Sequence, residues 1–309
     1  MTASGPGPLL TRAARASIVP AVSSRVAGEV AAFIVHWKNP EGLERTLAAL
    51  AAQSVPLGIT VLDNASPPQL VPKTRPGFTL VRSERNLGYG PALNELLKAW
   101  LARPGGRYAV ICPHDALPRP DCVERIVAAM RARPRAGLAC AEFGSETLPG
   151  YTLLHGYDLY PAPRVSGGSG WCPVEYPNGT LFVVARDCLE AIGLFDERYF
   201  AYGEECDLGR RALAAGFEVG QVWGAVVENP GRTASSRTVW YLNLRNGLLA
   251  SSQRDGFPAA FLRSAITLSR GAVQVVRGEQ GPGVPPFSVR MRAVGDFWRG
   301  RFGAPPPLP

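Results

Sequence analysis

Hydrophobic and polar positions change period several times along the chain, and the changes mark its elements. Val30–Val35 is an unbroken apolar run of strand length, the pattern of a strand covered on both faces. Asn39-Pro40 follows: an asparagine side chain caps a helix start, and proline suits the first helical position, where no donor is needed. Leu43, Leu47 and Leu50 then recur at i, i+4 and i+7, one apolar stripe on a helix. Ile59–Leu62 reads as a second strand ending on Asp63-Asn64, and Ser66-Pro67-Pro68 breaks the chain. Phe78–Val81 is a third strand. Pro91 opens a helix carrying Leu93, Leu96, Leu97, Trp100 and Leu101, and Arg103-Pro104-Gly105-Gly106 stops it before a strand at Tyr108–Cys112. Strands alternating with amphipathic helices predict an α/β fold, a Rossmann-like, mostly parallel sheet flanked by helices.

The second half is less regular. Gly137–Ala141, Leu181–Val184 and Gln221–Val227 read as strands, and Arg186–Ile192 as a short helix. A helix from Glu204 to Ala215 ends at Gly216, a residue suited to the left-handed stop. Tyr151–Gly170, rich in Gly, Pro and Tyr, reads as loop. Thr238–Leu249 is helical in pattern, and beyond Gly256 only Phe261–Val276 is. The Gly/Pro stretch 281–286 and the final prolines are expected to be mobile.

Composition narrows the class. With 309 residues, 46% hydrophobic and 19% charged, the chain can bury a large core, which excludes wholesale disorder. No run reaches the ~18–20 apolar residues of a membrane-spanning helix. Residues 1–28 contain Arg12, Arg15 and Arg25 but no apolar stretch of a secretory signal, and are expected to form a flexible tail. Six cysteines (112, 122, 140, 172, 188, 206) form no CxxC pair. That spacing suits buried thiols in a reducing cytoplasm better than disulfides or zinc. Only Lys38, Lys73 and Lys98 are lysines, so 30 of the 33 basic residues are arginine. From Pro258 onward seven arginines face Glu279 and Asp296 alone, a net +5. A solvated basic tail accounts for that, and so does peripheral contact with phosphates on a membrane. Nucleic acid is not expected among the partners.

In open α/β sheets ligands bind beyond the carboxyl ends of the strands. Four polar clusters fall there in order: His36-Trp37, Asp63-Asn64, Arg85-Asn86 and His114-Asp115. An aromatic ring, a carboxylate and neighbouring amides can stack on and hydrogen-bond a nucleobase and ribose, so their recurrence predicts a nucleotide pocket. Glu204, Glu205 and Asp207 open the later helix. On sequence physics they serve equally as a catalytic acid cluster or as N-terminal acids complementing the helix dipole. Asp207 and Arg211 form a structural i, i+4 pair. His155 reads as an exposed loop histidine. Trp171, Tyr176 and Asn178-Gly179 suit either a sugar-stacking cleft or closure of the core.

These residues stand in a family order. Val35-His36-Trp37-Lys38-Asn39-Pro40-Glu41, Val61-Leu62-Asp63-Asn64-Ala65-Ser66, Asn86-Leu87-Gly88-Tyr89-Gly90-Pro91-Ala92-Leu93-Asn94 and Gly193–Leu208, which holds Phe195-Asp196-Glu197 and Glu204-Glu205, follow one another. Over residues 29–250 the chain resembles the inverting family 2 glycosyltransferases of the GT-A fold, particularly their rhamnosyltransferase-like branch. The resemblance implies a domain at 29–250, between the tail 1–28 and a basic helical or flexible extension at 251–309. It implies that His36, Trp37, Asp63, Asn64, Asn86, Gly88, His114 and Asp115 bind a nucleoside-diphosphate sugar, with Asp63 reading a pyrimidine and Gly88 admitting backbone to the nucleotide. It implies Glu205, with Glu204 beside it, as catalytic base, and Trp171, Asn178 and Gly179 on the acceptor side. Tyr241, Arg245 and Asn246 match a further aromatic-Arg-Asn signature.

The resemblance also implies a divalent cation, Mg²⁺ or Mn²⁺, held by Asp115 with Glu228 and Asn229. Two departures bear on it. Pro113 stands at the first acid of the family's Asp-x-Asp motif, and Val227-Glu228-Asn229-Pro230-Gly231 lacks the histidine often found there. The competing account neutralises the diphosphate with Arg232 or another arginine. The expected function is therefore inverting hexosyl or deoxyhexosyl transfer from a UDP- or dTDP-sugar to a hydroxyl of a glycan, lipid-linked saccharide or small molecule. The expected location is cytoplasmic, at most peripheral to a membrane. Two rival readings are a degenerate nucleotide-sugar or glycan-binding module and a nucleotidyltransferase. The latter normally needs a glycine-rich phosphate loop, and Val35–Glu41 has no glycine.

Overall fold

The computed structural model describes residues 30–70, 77–153, 156–163, 170–229, 236–279, 281 and 283–308. The tail 1–28, His155 and Arg232 lie outside the described residues. Strand β1 (Val30–His36) is flanked by β2 (Leu57–Asp63) and β4 (Tyr108–Pro113), both parallel to it, and β3 (Phe78–Arg82) pairs parallel with β2. The sheet continues through β10 (Phe182–Ala185), antiparallel to both β4 and β6 (Ala136–Glu142). Then β11 (Glu218–Glu228) runs parallel to β6 and carries β5 (Leu117–Pro118) and β9 (Trp171–Pro173) along it, antiparallel. Among the described residues this makes one nine-stranded, mostly parallel sheet, with its helices packed onto the apolar faces.

Helix α1 (Pro40–Ala51) starts as the sequence predicts: the Asn39 side chain accepts from Gly42 N at 2.9 Å, and Leu43, Leu47 and Leu50 are buried. Helix α2 (Tyr89–Leu101) begins two residues before the expected Pro91, with Gly88 as its cap at φ 95°. A proline in the first turn gives up no hydrogen bond, because those amides have no intrahelical partner. Helix α3 (Cys122–Arg131), not foreseen in the sequence, buries Ile126, Val127 and Met130 and packs on β6 and β11. The short α4 (Arg186–Ile192) and α5 (Glu204–Ala214) fall where the pattern puts them.

Three expectations are corrected. The loop expected at Tyr151–Gly170 contains much of a hairpin, β7 (Thr147–Thr152) with β8 (Gly156–Pro161). Tyr151 faces Tyr157 across it, their rings 4.7 Å apart; tyrosines favour a half-buried pleated surface, and they outweigh the local glycines. Beyond the long α6 (Ser236–Val276), which breaks at Gly256 (φ 83°), a further helix α7 (Phe287–Trp298) forms. Its Val289, Ala293, Val294 and Phe297 are buried against α6, a stripe hidden in the sequence behind the Gly/Pro stretch, which itself lies partly outside the described residues. The final segment is seated rather than mobile. Gly303 N donates to Arg198 O at 3.0 Å, Arg245 Nη1 donates to Gly303 O at 2.9 Å, and Leu308 packs on the Tyr241 cluster.

Candidate active site

Parallel register alone brings the first half of the site together. His36, the last residue of β1, lies directly beside Asp63, the last of β2. Both are buried. The Asp63 carboxylate accepts from Ser66 N at 3.2 Å and Leu70 N at 3.3 Å, so it fixes the loop that leaves β2. Asn64 reaches the other way. Its Nδ2 donates to Asn86 Oδ1 (3.0 Å) and Gly88 O (2.8 Å), and its Oδ1 accepts from Leu87 N (2.8 Å). The Asn86–Gly88 loop is thereby held at the end of β2. Trp37 is half-buried, with Lys38 Nζ 4.7 Å from its ring centroid.

At the end of β4, His114 Nδ1 lies 3.3 Å from Val35 O and 3.4 Å from Trp37 N, and its ring meets His36 edge-on at 5.4 Å. Burial, then His114, hold the His36 pKa down to about 4 against the pull of Asp63, so His36 is a neutral imidazole at pH 7. Its Nδ1 is buried without a partner. Next in the chain, the Asp115 carboxylate accepts from Asn229 Nδ2 at 3.3 Å. Burial raises its pKa, with the His114 charge opposing. Asn229 therefore joins Asp115, whereas Glu228 is turned out to solvent, 3.9 Å from Arg119. Among the described residues no three His, Cys, Asp or Glu side chains gather around a metal position.

The second half of the site is the N-terminus of α5. Gly203 caps it in the left-handed region (φ 91°), and Phe200 and Tyr202 before it also have positive φ (63° and 68°). Such backbone costs about 1–3 kcal/mol per non-glycine residue and persists only where its surroundings over-determine it. Asn246 supplies that constraint: its Nδ2 lies 2.8, 2.8 and 2.7 Å from the carbonyls of Tyr199, Ala201 and Tyr202. Arg245 donates to Asn246 Oδ1 and to Tyr199 O. Tyr241 OH donates to Asp296 of α7 at 2.9 Å. The aromatic-Arg-Asn signature thus shapes the loop ahead of the acidic pair.

The loop and the strand-end cluster meet at Gly88. Tyr89 N donates to Phe200 O at 2.5 Å, and a Cβ on Gly88 would fall 2.3 Å from that same oxygen. Gly90 packs on Glu204, and Glu205 Oε1 lies 3.1 Å from where a Gly179 Cβ would sit, so Gly179 is tight against the carboxylate. Asn178 shapes that turn by accepting from Thr180 N. Burial pushes both Glu204 and Glu205 up in pKa, Glu204 further because of the Glu205 charge; backbone amides of the helix start pull the other way. Glu204 Oε2 is buried and unpartnered. Asp207 is taken up by Arg210 (2.8 Å) and Arg211 (2.7 Å), the structural pair expected. Trp171 is not brought to this group: it packs on Gly220 and under the Arg133 guanidinium, inside the core. Sequence reasoning gave Tyr89 no role. Its hydroxyl is buried without a partner and feels Cys112, Glu204, Glu205 and Asp115 together, between the two acidic centres. Its place in the first helical turn after Gly88 was the available signal.

Removal of the Asp63 carboxylate tests how the first half works. Asp63→Ala frees the Ser66 and Leu70 amides, each such bond being worth ~0.5–1.5 kcal/mol net. The expected result is a folded protein with weaker nucleotide binding, read by calorimetry with nucleoside diphosphates. Unchanged affinity would remove Asp63 from the ligand site.

Residues 32–161 match the family model described as Glycosyl transferase family 2. Over 218 residues the chain is 28% identical to the N-acetylglucosaminyl-diphospho-decaprenol L-rhamnosyltransferase of Mycobacterium tuberculosis, covering 57% of this chain and 67% of that protein. Among solved structures it is similar to the mannosyltransferase PcManGT from Pyrobaculum calidifontis in complex with GDP-Man and Mn²⁺. That match has a TM-score of 0.55 at 15% identity, over 93% of this chain and 91% of the other. It is also similar to GalNAc-T7 with UDP, GalNAc and Mn²⁺, with a TM-score of 0.59 at 14% identity, over 90% of this chain and 58% of that one. At these identities the structural likeness speaks for the fold, which is GT-A. The chain thus has the GT-A fold, is similar over residues 32–161 to the family 2 glycosyltransferases, and is similar in sequence to a rhamnosyltransferase.

Proposed function

We propose that this protein transfers a hexosyl or deoxyhexosyl group, with inversion, from a pyrimidine nucleoside-diphosphate sugar to a hydroxyl of a lipid-linked saccharide. The carrying observation is the meeting, at Gly88 and Tyr89, of the strand-end cluster His36–Asp63–Asn64–His114–Asp115 with the Glu204–Glu205 pair, Glu204 buried and Glu205 half-buried. One end offers a neutral imidazole, a fixed carboxylate and amides to a base and ribose. The other offers a carboxylate whose burial makes it a stronger base than one in water. Glu205 takes the proton of the acceptor hydroxyl, whose oxygen attacks the anomeric carbon from the face opposite the diphosphate. The bond from that carbon to the phosphate oxygen breaks, and the nucleoside diphosphate leaves with its electron pair. The lipid-linked acceptor is suggested by the relative's own substrate, an N-acetylglucosaminyl-diphospho-decaprenol; the domain boundaries 29–250 and 251–309 go with this reading.

A divalent cation fits in a limited way. Asp115 is one buried carboxylate with a raised pKa, which a bound cation would offset, and Asn229 stands beside it. Mg²⁺ and Mn²⁺ accept such sparse protein ligation because diphosphate oxygens and water complete an octahedron. When bound, the cation would supply charge stabilisation of the leaving diphosphate. His114 next to Asp115 would favour Mn²⁺, since imidazole is the softer ligand. The expected result is donor affinity that is lost in EDTA, restored by Mn²⁺ or Mg²⁺, and insensitive to all three in Asp115→Ala. Equal wild-type affinity under all conditions would move the neutralising role to arginine.

The donor is tested by thermal shift with a panel of UDP-, dTDP- and GDP-sugars. Binding to the native state alone raises apparent stability by mass action. Stabilisation by the pyrimidine donors is expected; a response to the GDP-sugar alone would overturn the pyrimidine assignment.

A further inference from the structure

Between Gly256 and Val276, helix α6 is covered on one side only. Ala260, Ser264 and Gly271 are buried, with the Trp298 indole donating to Ser264 Oγ and Arg290 of α7 against Gly271. The opposite side is open. Phe261 is 67% exposed, Leu262 46%, Val273 47% and Val276 88%, and Pro258, Ala265 and Ala272 are exposed with them. At 3.6 residues per turn these positions fall within an arc of about 120° and extend along roughly 27 Å of helix. Ser269 is the one polar residue in that arc. Trp298 of α7, also exposed, widens the face, its ring 6.2 Å from Phe257 and 6.4 Å from Phe261. A bare carbon stripe of this length on a soluble protein marks an interaction surface.

The charges around the stripe decide its partner. Arg270 and Arg277 flank it along the helix, and Arg299 and Arg301 follow Trp298; all four are exposed. Of the two acids beyond Pro258, Asp296 is buried and engaged by Tyr241 and Arg292, and Glu279 lies 3.7 Å from Arg277. The surface is apolar at its centre and positive at its margins, with aromatic rings at one end. That is the complement of an anionic lipid surface, in which an amphipathic helix lies with carbon groups among the acyl chains and arginines at the headgroups. No helix of the described residues is long and apolar enough to cross a membrane, so this contact would be interfacial.

The same helix is tied to the acidic side of the site. Arg254 pairs with Glu175 at 2.8 Å and lies over the Tyr151 ring, and Arg263 donates to Leu153 O in the β7–β8 hairpin. Tyr176, beside Glu175, donates to Asp158 O of that hairpin and packs against Gly209 of α5. We propose that the exposed face of α6 from Phe257 to Val276, with Trp298, docks the enzyme on anionic membrane. Its use in presenting a lipid-linked acceptor to Glu205 rests on the proposed function; the docking itself does not.

The test is co-sedimentation of the full chain with vesicles of phosphatidylcholine alone and of equal parts phosphatidylcholine and phosphatidylglycerol. Retention on the anionic vesicles is expected, weakening with salt, with little on phosphatidylcholine. Phe261→Glu combined with Val276→Glu should abolish it without moving the melting temperature, because both side chains stand in solvent. Arg270→Ala and Arg299→Ala should each lower partitioning about fivefold and flatten the salt dependence. Absence of wild-type retention, or equal retention of the double glutamate variant, would overturn the proposal. So would a wild-type dimer that the glutamates dissociate while vesicles bind neither form, since the face would then belong to a second copy. Donor binding measured on the same variants keeps this result separate from the proposed activity: it should be unchanged in all of them.

Discussion

Glu205→Gln is expected to lower turnover by ~10²–10⁴ while leaving donor affinity in place. The substitution keeps the shape of a side chain that Gly179 touches and removes only its ability to take a proton. Burial raises the Glu205 pKa, so wild-type turnover should climb with pH along an acid limb placed above the ordinary carboxylate range, and that limb should vanish in the variant. Steady-state kinetics over pH, with calorimetry for the donor, make the measurement. Glu204→Gln is the control: its pKa is raised too, and if it loses turnover while Glu205→Gln retains it, the base is one residue earlier. Full activity in both would leave the pair as helix-dipole acids.

A second large effect is expected away from the reacting atoms. Asn246→Ala removes one amide that serves three carbonyls of the Tyr199–Tyr202 loop. A buried polar group left without its partner costs ~1–3 kcal/mol, and the strained residues Phe200 and Tyr202 lose what holds them. Denaturant unfolding should show a loss of at least ~2 kcal/mol. Turnover should fall more than donor affinity does, because the loop sets Glu204–Glu205 against Gly88 and Tyr89. A variant of wild-type stability and rate would show that the loop keeps its form without Asn246.

How much of this was legible in the sequence depends on how local its cause is. The first β–α units were, because each is written in consecutive residues: an apolar run, the Asn39 cap, the stripe of Leu43, Leu47 and Leu50. The parallel strands β1 and β2, both ending in polar residues, then forced the meeting of His36 with Asp63. The β7–β8 hairpin and α7 were hidden, since glycines and prolines at their edges dominate a local reading while Tyr157 and Phe297 find their partners far away. In the site, the acidic pair and the Asn86–Gly88 loop stood out by pattern. The indirect role of Arg245 and Asn246 did not, because it exists only as contacts with a loop more than 40 residues earlier. Nor could spacing separate Asn229, which reaches Asp115, from Glu228, which faces solvent. Glu228 closes β11 and Asn229 is the first residue beyond it, so only the folded contacts of each tell them apart.

The central claim is glycosyl transfer from a nucleoside-diphosphate sugar, and the products test it most directly. The full chain is incubated with the stabilising UDP- or dTDP-sugar, Mn²⁺ and a polyprenyl-diphospho-saccharide acceptor, and released nucleotide and glycan are resolved by chromatography and NMR. The account predicts nucleoside diphosphate released in step with a glycoside of inverted anomeric configuration, both dependent on Glu205. Release of pyrophosphate, retention of configuration, or tight donor binding with neither product formed would contradict it.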